Sequence, residues 1–596
     1  MARPGSVSLV RILVFALLGG ALFALGFMTG REPGAERADS STPATAPAHV
    51  PAAVEAPRPT RLQPPLVAAH YFGRQWPKNF IAGFRREHVD ADFAALRADG
   101  FNAVVLLVSW GDFQPVFEPC CQYDERAFER LGFLIDRAED AGLEVLLRVG
   151  YGWYFHPDGG DVFERIHRVM NDATARQAFF ALLDRLASEF GSRRHLRMSF
   201  LSWEDLWLRR IDEAARPDYV AFLSSLAADD PLRAELPADG QLPAADGPHA
   251  AVFHRYWDWL LTERLMREAS TRLSPLSLEA RIDRDPLPII RPDGGTDYRW
   301  LGHETSYRQP GADVMTLYWA PYWGAENRGE TLDAERAATL FSALLAEARQ
   351  HSGGRPLFVD QLNVVDNTLG HDHNAVLATG ALPEFMHRAG CALKANGALG
   401  YGYWTVHDYA ENPLYNPAFS YGLDGWRLRA AGDDDDGGDA SARLIANALG
   451  DNRLDLRAGD TLSQIIPASR GRLPDRNRPL ASQVCIVAHS DSGARLSAAA
   501  GGPAVGLELA PGHDGEACAD IAPVPGEDRL TLNLTLTDGA LLLGNVLLFD
   551  HVQTGGVYGR DGQPLALRDP LRTLNAAYAR GGPDACDAPD TPVQAR

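Results

Sequence analysis

The chain has 596 residues, an apolar fraction of 45% and a formal net charge of -21. This length exceeds that of one typical domain, so two or more are expected, and the apolar content is sufficient for sizeable cores. The acidic balance argues against a nucleic-acid partner, which would need a basic surface, and against tight docking onto anionic lipid headgroups.

The N-terminal segment is the first predicted element. Residues 12–29 carry no charge, and a run of this length can just span a bilayer core of about 30 Å. The arginines before it predict a cytoplasmic N-terminus over 1–8, an inner-membrane anchor over 9–30 and the bulk of the chain outside. A cleaved signal peptide, with a small-residue site at 24–26, is the alternative. Both interpretations predict export, with the main domains periplasmic or otherwise extracytoplasmic.

A linker is predicted over residues 31–65, which are rich in Pro, Ala, Ser and Thr and offer almost nothing to pack. Such a composition favours an extended, semi-stiff tether between a membrane and a folded domain. A disordered leader without a role is equally compatible with it.

Between residues 66 and 450, apolar strands alternate with amphipathic helices. The predicted strands are 66–72, 102–110, 143–151, 196–204, 275–282, 313–319, 355–362 and 398–404. Eight strands in this rhythm predict an α/β fold, a (β/α)8 TIM barrel. A doubly wound open sheet is the alternative, but no GxGxxG motif follows the first strand.

A second domain is predicted over residues 451–565, where short alternating segments are separated by Gly, Pro and Asp clusters. This pattern is typical of a β-sandwich. The sandwich could bind carbohydrate or serve as a structural support of the barrel. Residues 566–596 are predicted to form a tail.

The six cysteines fit an oxidising, extracytoplasmic compartment. Cys485 and Cys518 lie in one β-rich region and could pair. One of the adjacent cysteines at 120–121 could reach Cys391 or Cys586, although sequence alone does not fix the connectivity.

The ends of the predicted barrel strands carry polar and aromatic residues instead of neutral turn residues. In a barrel these ends meet at one mouth, where flat rings can stack on pyranose faces and polar groups can bind hydroxyls. The predicted sugar-contacting residues are His70, Trp110, Asp112, Arg148, Trp153, Trp203, Glu279, Tyr318, Trp319, Gln361, Trp404 and His407.

The fourth strand ends in SFLSWEDLW, and the eighth-strand segment reads GYGYWTVHDYAENP. With these motifs the chain resembles cellulase-like retaining glycoside hydrolases of the large (β/α)8 clan that bears its catalytic carboxylates on strands four and seven. The resemblance implies that Glu204 is the acid/base, with Trp203 where an Asn is common, and that Trp404 lies under a sugar subsite. Asp205, next in the chain, is expected to start the following helix.

The seventh strand, RPLFVDQLN, matches the clan in its Arg-Pro start and apolar run. It departs from the clan's pattern where the nucleophilic Glu belongs, because Gln361 falls there and Asp360 lies one residue earlier. An amide cannot attack an anomeric carbon, so Asp360 is the predicted nucleophile, provided that a bulge or a shifted strand end aims it inward. Arg148 could keep this carboxylate ionised.

Three outcomes stay open for the chemistry. Asp360 attacks the sugar and the configuration is retained, which needs carboxyl groups about 5–5.5 Å apart. Alternatively, Asp360 or Glu279 activates water across a gap of about 6.5–9.5 Å and the configuration is inverted. In the third outcome the site has lost its chemistry and only binds glycan.

The sequence therefore predicts an exported, membrane-anchored glycoside hydrolase that acts on a β-linked polysaccharide at the cell envelope. A non-catalytic glycan-binding protein in an exopolysaccharide synthesis or export assembly is the alternative. No cofactor is expected, and no metal either, since LGHDHN at 369–374 is a poor ligand set. The sequence contains no GxSxG motif, so acyl hydrolysis is not predicted.

Overall fold

The computed structural model describes residues 65–151, 162–201, 211–245, 248–280, 285–290, 296–301, 312–320, 330–364, 375–432, 440–467, 483–522, 529–579 and 586. The predicted cytoplasmic N-terminus, the anchor and all but the last residue of the linker lie outside these ranges. Across the described ranges, no helix is both long enough and apolar enough to cross a membrane.

Eight parallel strands close into a barrel, which confirms the predicted (β/α)8 fold. They are β1 Leu66–Tyr71, β2 Ala103–Ser109, β3 Glu144–Tyr151, β4 Leu196–Leu201, β5 Leu276–Ala280, β6 Met315–Trp319, β7 Leu357–Leu362 and β8 Gly400–Tyr403. Each strand pairs with its neighbours in sequence, and β8 returns to β1 with Leu66 opposite Gly400. The carboxyl ends of all eight strands therefore surround one mouth.

Helices alternate with these strands. They are α1 Phe80–Gly83, α2 Arg86–Ala98, α3 Trp110–Phe113, α4 Glu125–Asp140, α5 Val162–Asn171, α6 Ala173–Phe190, α7 Arg216–Ser225, α8 Ala250–Trp259, α9 Arg267–Arg272, α10 Ala334–His351 and α11 Leu382–Ala395. A π-helical turn, Leu260–Met266, joins α8 to α9. Three of the longer helices begin after an aspartate, at Asp124, Asp172 and Asp333, whose side chains accept from backbone N–H groups of the first turn.

Short two-stranded sheets lie outside the barrel sheet. An antiparallel hairpin, Asp285–Ile290 with Thr296–Leu301, follows β5. Thr331–Leu332 pairs with Val376–Leu377 in a parallel fashion.

The barrel strands are buried on both faces, which explains their continuous apolar runs. Along β2, Val104, Leu106 and Val108 belong to the large core that packs against the helices. Ala103 and Val105 belong to a separate cluster that fills the barrel interior. Alternate residues thus face inward, and the polar residues that replace apolar ones at the inward positions near the strand ends define the mouth.

The C-terminal part is antiparallel. Its strands are β9 Arg427–Arg429, β10 Leu444–Ala446, β11 Asn452–Arg457, β12 Thr461–Pro467, β13 Gln483–Ser490, β14 Ala494–Ala500, β15 Val505–Leu509, β16 His513–Asp520 and β17 Arg529–Phe549. The first half of β17 pairs with β12 and β14, and its second half pairs with β11 and β13.

The long strand β17 therefore belongs to two sheets that share a core, as the predicted β-sandwich requires. Gly539 lies where the strand passes from one sheet to the other, with φ +82. A Cβ there would approach the Gly493 carbonyl oxygen to 2.3 Å, so only glycine fits. The sandwich begins with β9, earlier than the predicted boundary at residue 451.

The segment predicted as a tail contains a helix, α12 Arg568–Ala579, which packs against α11 and β8. Asn575 donates to the Asp99 backbone oxygen at 2.9 Å and bonds to the Tyr401 hydroxyl, and Arg568 donates to the Asp99 carboxylate at 2.7 Å. This helix lies between α11 and the end of α2, which is the place of the eighth helix of a (β/α)8 barrel. The sandwich is therefore inserted between the eighth strand and the eighth helix.

The cysteines pair partly as predicted. Cys485 is joined to Cys518, on the neighbouring strands β13 and β16. Cys391 of α11 is joined to Cys586, beyond α12. The adjacent cysteines at 120–121 are joined to each other, so neither reaches Cys391 or Cys586 as proposed from the sequence.

Candidate active site at the mouth of the barrel

Polar side chains from β1, β3, β5, β6 and β7, together with one aromatic ring that follows β8, meet at the carboxyl ends of the strands. This set, called the mouth cluster below, consists of His70, Arg148, Glu279, Tyr318, Gln361, Asn363 and Trp404. All of them except Asn363 were predicted to contact a sugar. Among these, Trp404 is half-buried and the others are buried.

Arg148 is the centre of the mouth cluster. Its side chain is fully buried, and its Nη2 donates to the Glu279 carboxylate at 2.9 Å, a side chain that is only 1% exposed. The Gln361 carbonyl oxygen accepts from Arg148 Nη1 at 2.7 Å and from Nη2 at 2.8 Å. The Trp404 ring lies 5.5 Å from the guanidinium carbon. A buried guanidinium needs an opposite charge and several acceptors, and these neighbours provide both.

The orientation of the Gln361 amide follows from Arg148. A guanidinium only donates hydrogen bonds, so the oxygen of Gln361 must face it and the nitrogen must face away. The side-chain amide of Asn363 then lies 3.2 Å from that of Gln361, and 3.3 Å from the Tyr318 hydroxyl. β7 and the residue that follows it thus contribute two neutral amides to the mouth.

A bulge in β7 allows this arrangement. Val359 and Leu362 both belong to the outer core, yet two residues separate them where strict alternation allows one. The pairing with β6 shifts register between Val359 and Gln361. Gln361 therefore lies opposite Tyr318, and Asp360 is the extra residue of the bulge. Asp360 itself is fully buried, and its backbone oxygen accepts from His70 Nε2 at 2.5 Å.

β8 can approach this bulge closely because its Gly402 has no side chain. A Cβ on Gly402 would lie 2.6 Å from the Asp360 backbone oxygen and 3.4 Å from His70 Nε2. The missing side chain therefore leaves space for the hydrogen bond between His70 and Asp360.

His70 is neutral in the folded chain. Burial first, and the charge of Arg148 second, lower its pKa to about 3. A carbonyl oxygen only accepts, so the hydrogen is on Nε2 and Nδ1 is an acceptor. Nδ1 is buried and has no hydrogen-bond partner in the described part of the chain. The Trp404 ring lies 5.1 Å from the imidazole.

Two of the predicted tryptophans pack away from the mouth cluster. Trp110 is fully buried, donates to the Gln114 side chain at 2.7 Å and contacts Phe179 of α6. Trp319 packs between Phe341 and Phe385, in the layer between the barrel and its helices. Their contacts are those of core residues, so they give no support to a role in sugar binding.

His407 and Asp112 also lie outside the mouth cluster. His407 lies 3.3 Å from the Asp92 carboxylate of α2, and its ring centroid is 5.7 Å from that of Tyr558. Asp112 is in α3, where burial raises its pKa to about 8 while a hydrogen bond from Ser109 opposes the shift. The described contacts connect neither residue to Arg148.

Three predicted residues lie outside the described residues. They are the proposed acid/base Glu204 and the aromatic residues Trp153 and Trp203. Their roles stay predictions, as does the start of a helix at Asp205. Among the described residues, one group has metal-ligating atoms close together, Cys485, Glu516 and Cys518, but its cysteines are joined to each other.

Sequence reasoning missed Asn363. It follows the last residue of β7 directly, and its backbone N–H donates to the Trp319 oxygen of β6 at 3.1 Å. The signal was present, because a polar side chain immediately after a buried strand is the feature that identified the other mouth residues.

The comparisons with known proteins yield solved structures alone, because neither a family model nor a curated relative matches the chain. A GH5_18 variant from Streptomyces cattleya, in complex with Manb1-4GlcNAc, is 16% identical over 58% of this chain and 71% of its own, with a TM-score of 0.38. An exo-beta-1,4-mannosidase from an Opitutaceae bacterium is 17% identical over 59% and 53%, with a TM-score of 0.36. An endo-1,4-beta-mannanase from Rhizomucor miehei is 8% identical over 57% and 86%, with a TM-score of 0.33.

Proposed function

We propose that the chain is a glycoside hydrolase that cleaves a β-linked polysaccharide at the mouth of its barrel. The observation that supports this is the mouth cluster, in which Arg148 binds Glu279 and Gln361 beside the Trp404 ring. A ring face beside fixed donors and acceptors suits a pyranose, whose apolar face stacks while its hydroxyls bond. Carboxyl ends of barrel strands are also where barrel enzymes place their chemistry.

In this proposal Glu204 is the acid/base and Asp360 is the nucleophile. Two observations support Asp360: its buried position in the β7 bulge, next to Gln361 of the mouth cluster, and the uncharged nature of that neighbour. Glu279 is the other carboxylate of the described mouth, but it already balances the charge of Arg148. It would serve as the base of an inverting enzyme.

A non-catalytic glycan-binding protein is the second candidate, and one observation favours it. The place beside Arg148 that would hold a carboxylate holds the Gln361 amide, which binds the guanidinium through two hydrogen bonds. An amide keeps the geometry of the site while removing the attacking group. Such a protein would bind the same polymer without shortening it.

The place of action is the cell envelope in this proposal. The uncharged run at 12–29 would anchor the chain in the inner membrane, and the linker would carry the barrel and the sandwich outside the cytoplasm. The three cysteine pairs support an oxidising compartment. A membrane-tethered hydrolase would meet a polysaccharide as it is made, beside export machinery.

The test is a panel of β-linked polysaccharides incubated with the full-length chain and with Glu204→Gln, Asp360→Asn and Glu279→Gln. We expect at least one polymer to be shortened, and the first two substitutions to lower the rate by at least about 100-fold. The anomer released first, followed by NMR, separates retention through Asp360 from inversion. If polymers bind equally well to the unsubstituted chain and to Glu204→Gln and none is shortened, the chain is a binding protein.

A further inference from the structure

The side-chain amides of Gln361 and Asn363 leave one N–H donor at the mouth without a hydrogen-bond partner among the described residues. The nitrogen of Gln361 faces Asn363, so the Asn363 atom 3.2 Å away must be its oxygen. The Tyr318 hydroxyl lies 3.3 Å from that same atom and can donate to it. The other end of the Asn363 amide is then the nitrogen. It is buried and has no hydrogen-bond partner among the described residues.

His70 leaves an acceptor unused on the other side of β8. Its Nε2 donates to Asp360, and its Nδ1 is buried without a partner in the described ranges. Asn363 is 7% exposed and His70 is fully buried. Buried polar atoms are nearly always hydrogen-bonded, so one unused donor and one unused acceptor in the same mouth would suit a ligand that supplies the opposite groups.

The unused donor and the unused acceptor are themselves uncharged. Arg148 is balanced by Glu279, and Gln361 and Asn363 are neutral. The pKa of His70, lowered to about 3, keeps that ring neutral as well. A neutral amide, which has one acceptor and one donor, matches the two unused atoms.

We propose that Asn363 and His70 together bind the 2-acetamido group of an N-acetylhexosamine unit. The Asn363 nitrogen would donate to the acetamido oxygen, and His70 Nδ1 would accept from the acetamido N–H. A trans amide presents its C=O and N–H on opposite sides, and the two residues come from β7 and β1, which lie on either side of β8. This inference rests on the proposed function, since it names the sugar at the same mouth.

The experiment compares three tetrasaccharides of one backbone geometry: β-1,4-linked N-acetylglucosamine, glucosamine and glucose. Binding is measured by calorimetry on the full-length chain carrying Glu204→Gln, so that cleavage does not interfere. We expect the N-acetylated tetramer to bind at least tenfold more tightly than the other two. Saturation-transfer NMR should place its acetyl methyl groups among the protons closest to the protein.

Asn363→Asp is the decisive variant, because it keeps the oxygen that faces Gln361 and replaces the donor with a second acceptor. We expect the preference for the N-acetylated tetramer to fall at least tenfold. Asn396→Asp, which adds the same charge at the far end of α11, is the matched control and should leave the preference unchanged. If Asn363→Asp does not fold, Asn363→Ala removes the donor without adding charge.

The outcomes separate this inference from the proposed function. Equal binding of the three tetramers, binding of none of them, or an unchanged preference in both Asn363 variants would overturn the inference. If the unsubstituted chain cleaves a glucan as well as an N-acetylated polymer, the hydrolase stands and the inference fails. If the N-acetylated tetramer is preferred while no polymer is cleaved, the inference stands and the hydrolase fails.

Discussion

The buried ion pair of Arg148 and Glu279 determines how substitutions in the mouth cluster have to be interpreted. The Arg148 side chain is fully buried, so removing Glu279 would take an ion-pair partner from a guanidinium that water cannot reach. Breaking a buried ion pair in this way costs about 3–5 kcal/mol. A loss of activity on changing Glu279 therefore has to be separated from a loss of folded protein, whereas changes at Asn363 leave this ion pair intact.

The stability of the folded chain should depend on pH through His70. The pKa of this residue is lowered to about 3 from an ordinary value near 6.5, and this direction determines the sign of the dependence. Between these values the unfolded chain binds a proton on this residue and the folded chain does not. The contribution of neutral His70 is complete above about pH 6.5, and it falls by up to about 1.4 kcal/mol per pH unit as the pH is lowered towards 3.

We therefore expect His70→Gln, which keeps a donor for Asp360 and cannot titrate, to weaken the pH dependence of stability. The unfolding free energy between about pH 6 and about pH 4 should change less steeply with pH than in the unsubstituted chain. The slope should decrease by about 1.4 kcal/mol per pH unit, which corresponds to one bound proton. Urea unfolding at several pH values measures both slopes. Parallel curves for the two proteins would contradict a buried, neutral His70.

At the scale of the element, β7 and β8 fit together through Gly402. Its backbone φ is ordinary, so the cost of a side chain arises from contact: a Cβ would lie 2.6 Å from the Asp360 backbone oxygen. We expect Gly402→Ala to destabilise the chain by about 1–3 kcal/mol, the usual cost of overpacking a rigid core. Gly380→Ala is the control, since nothing lies within 4 Å of its added carbon.

Denaturant unfolding of the two glycine variants would test this contact. A Gly402→Ala protein as stable as Gly380→Ala would mean that β7 and β8 can separate without loss.

The elements themselves were largely predictable, because continuous apolar runs and helical periodicity mark a (β/α)8 barrel. All eight predicted strands overlap the observed ones. The bulge at Asp360 was not predictable, since a register shift depends on both neighbouring strands and leaves no periodic trace. α12 was missed because it follows the sandwich, although Leu571, Leu574 and Tyr578 have helical spacing and are buried.

At the scale of the whole molecule, the insertion of the sandwich before α12 ties the two parts together. The barrel needs α12 to cover β8, and the chain reaches α12 only after completing the sandwich. Side chains also cross directly from one part to the other. Arg85, between α1 and α2, donates to the backbone oxygens of Ala418, Asn452 and Gly544 at 3.3, 2.8 and 3.2 Å.

These connections predict that the barrel and the sandwich unfold together. Arg85→Met would leave three backbone oxygens without their shared donor, two of them in sandwich strands, at a cost of about 1–3 kcal/mol for each that stays dry. We expect hydrogen exchange to rise in peptides from β1 to β3 and from β11 to β17 at the same denaturant concentration, and this concentration to be lower in Arg85→Met. Arg97→Met, at an exposed position of α2, is the matched control and should leave the midpoint unchanged. Separate transitions for the two parts would contradict the coupling, because a barrel that unfolds alone would not depend on a sandwich inserted before its last helix.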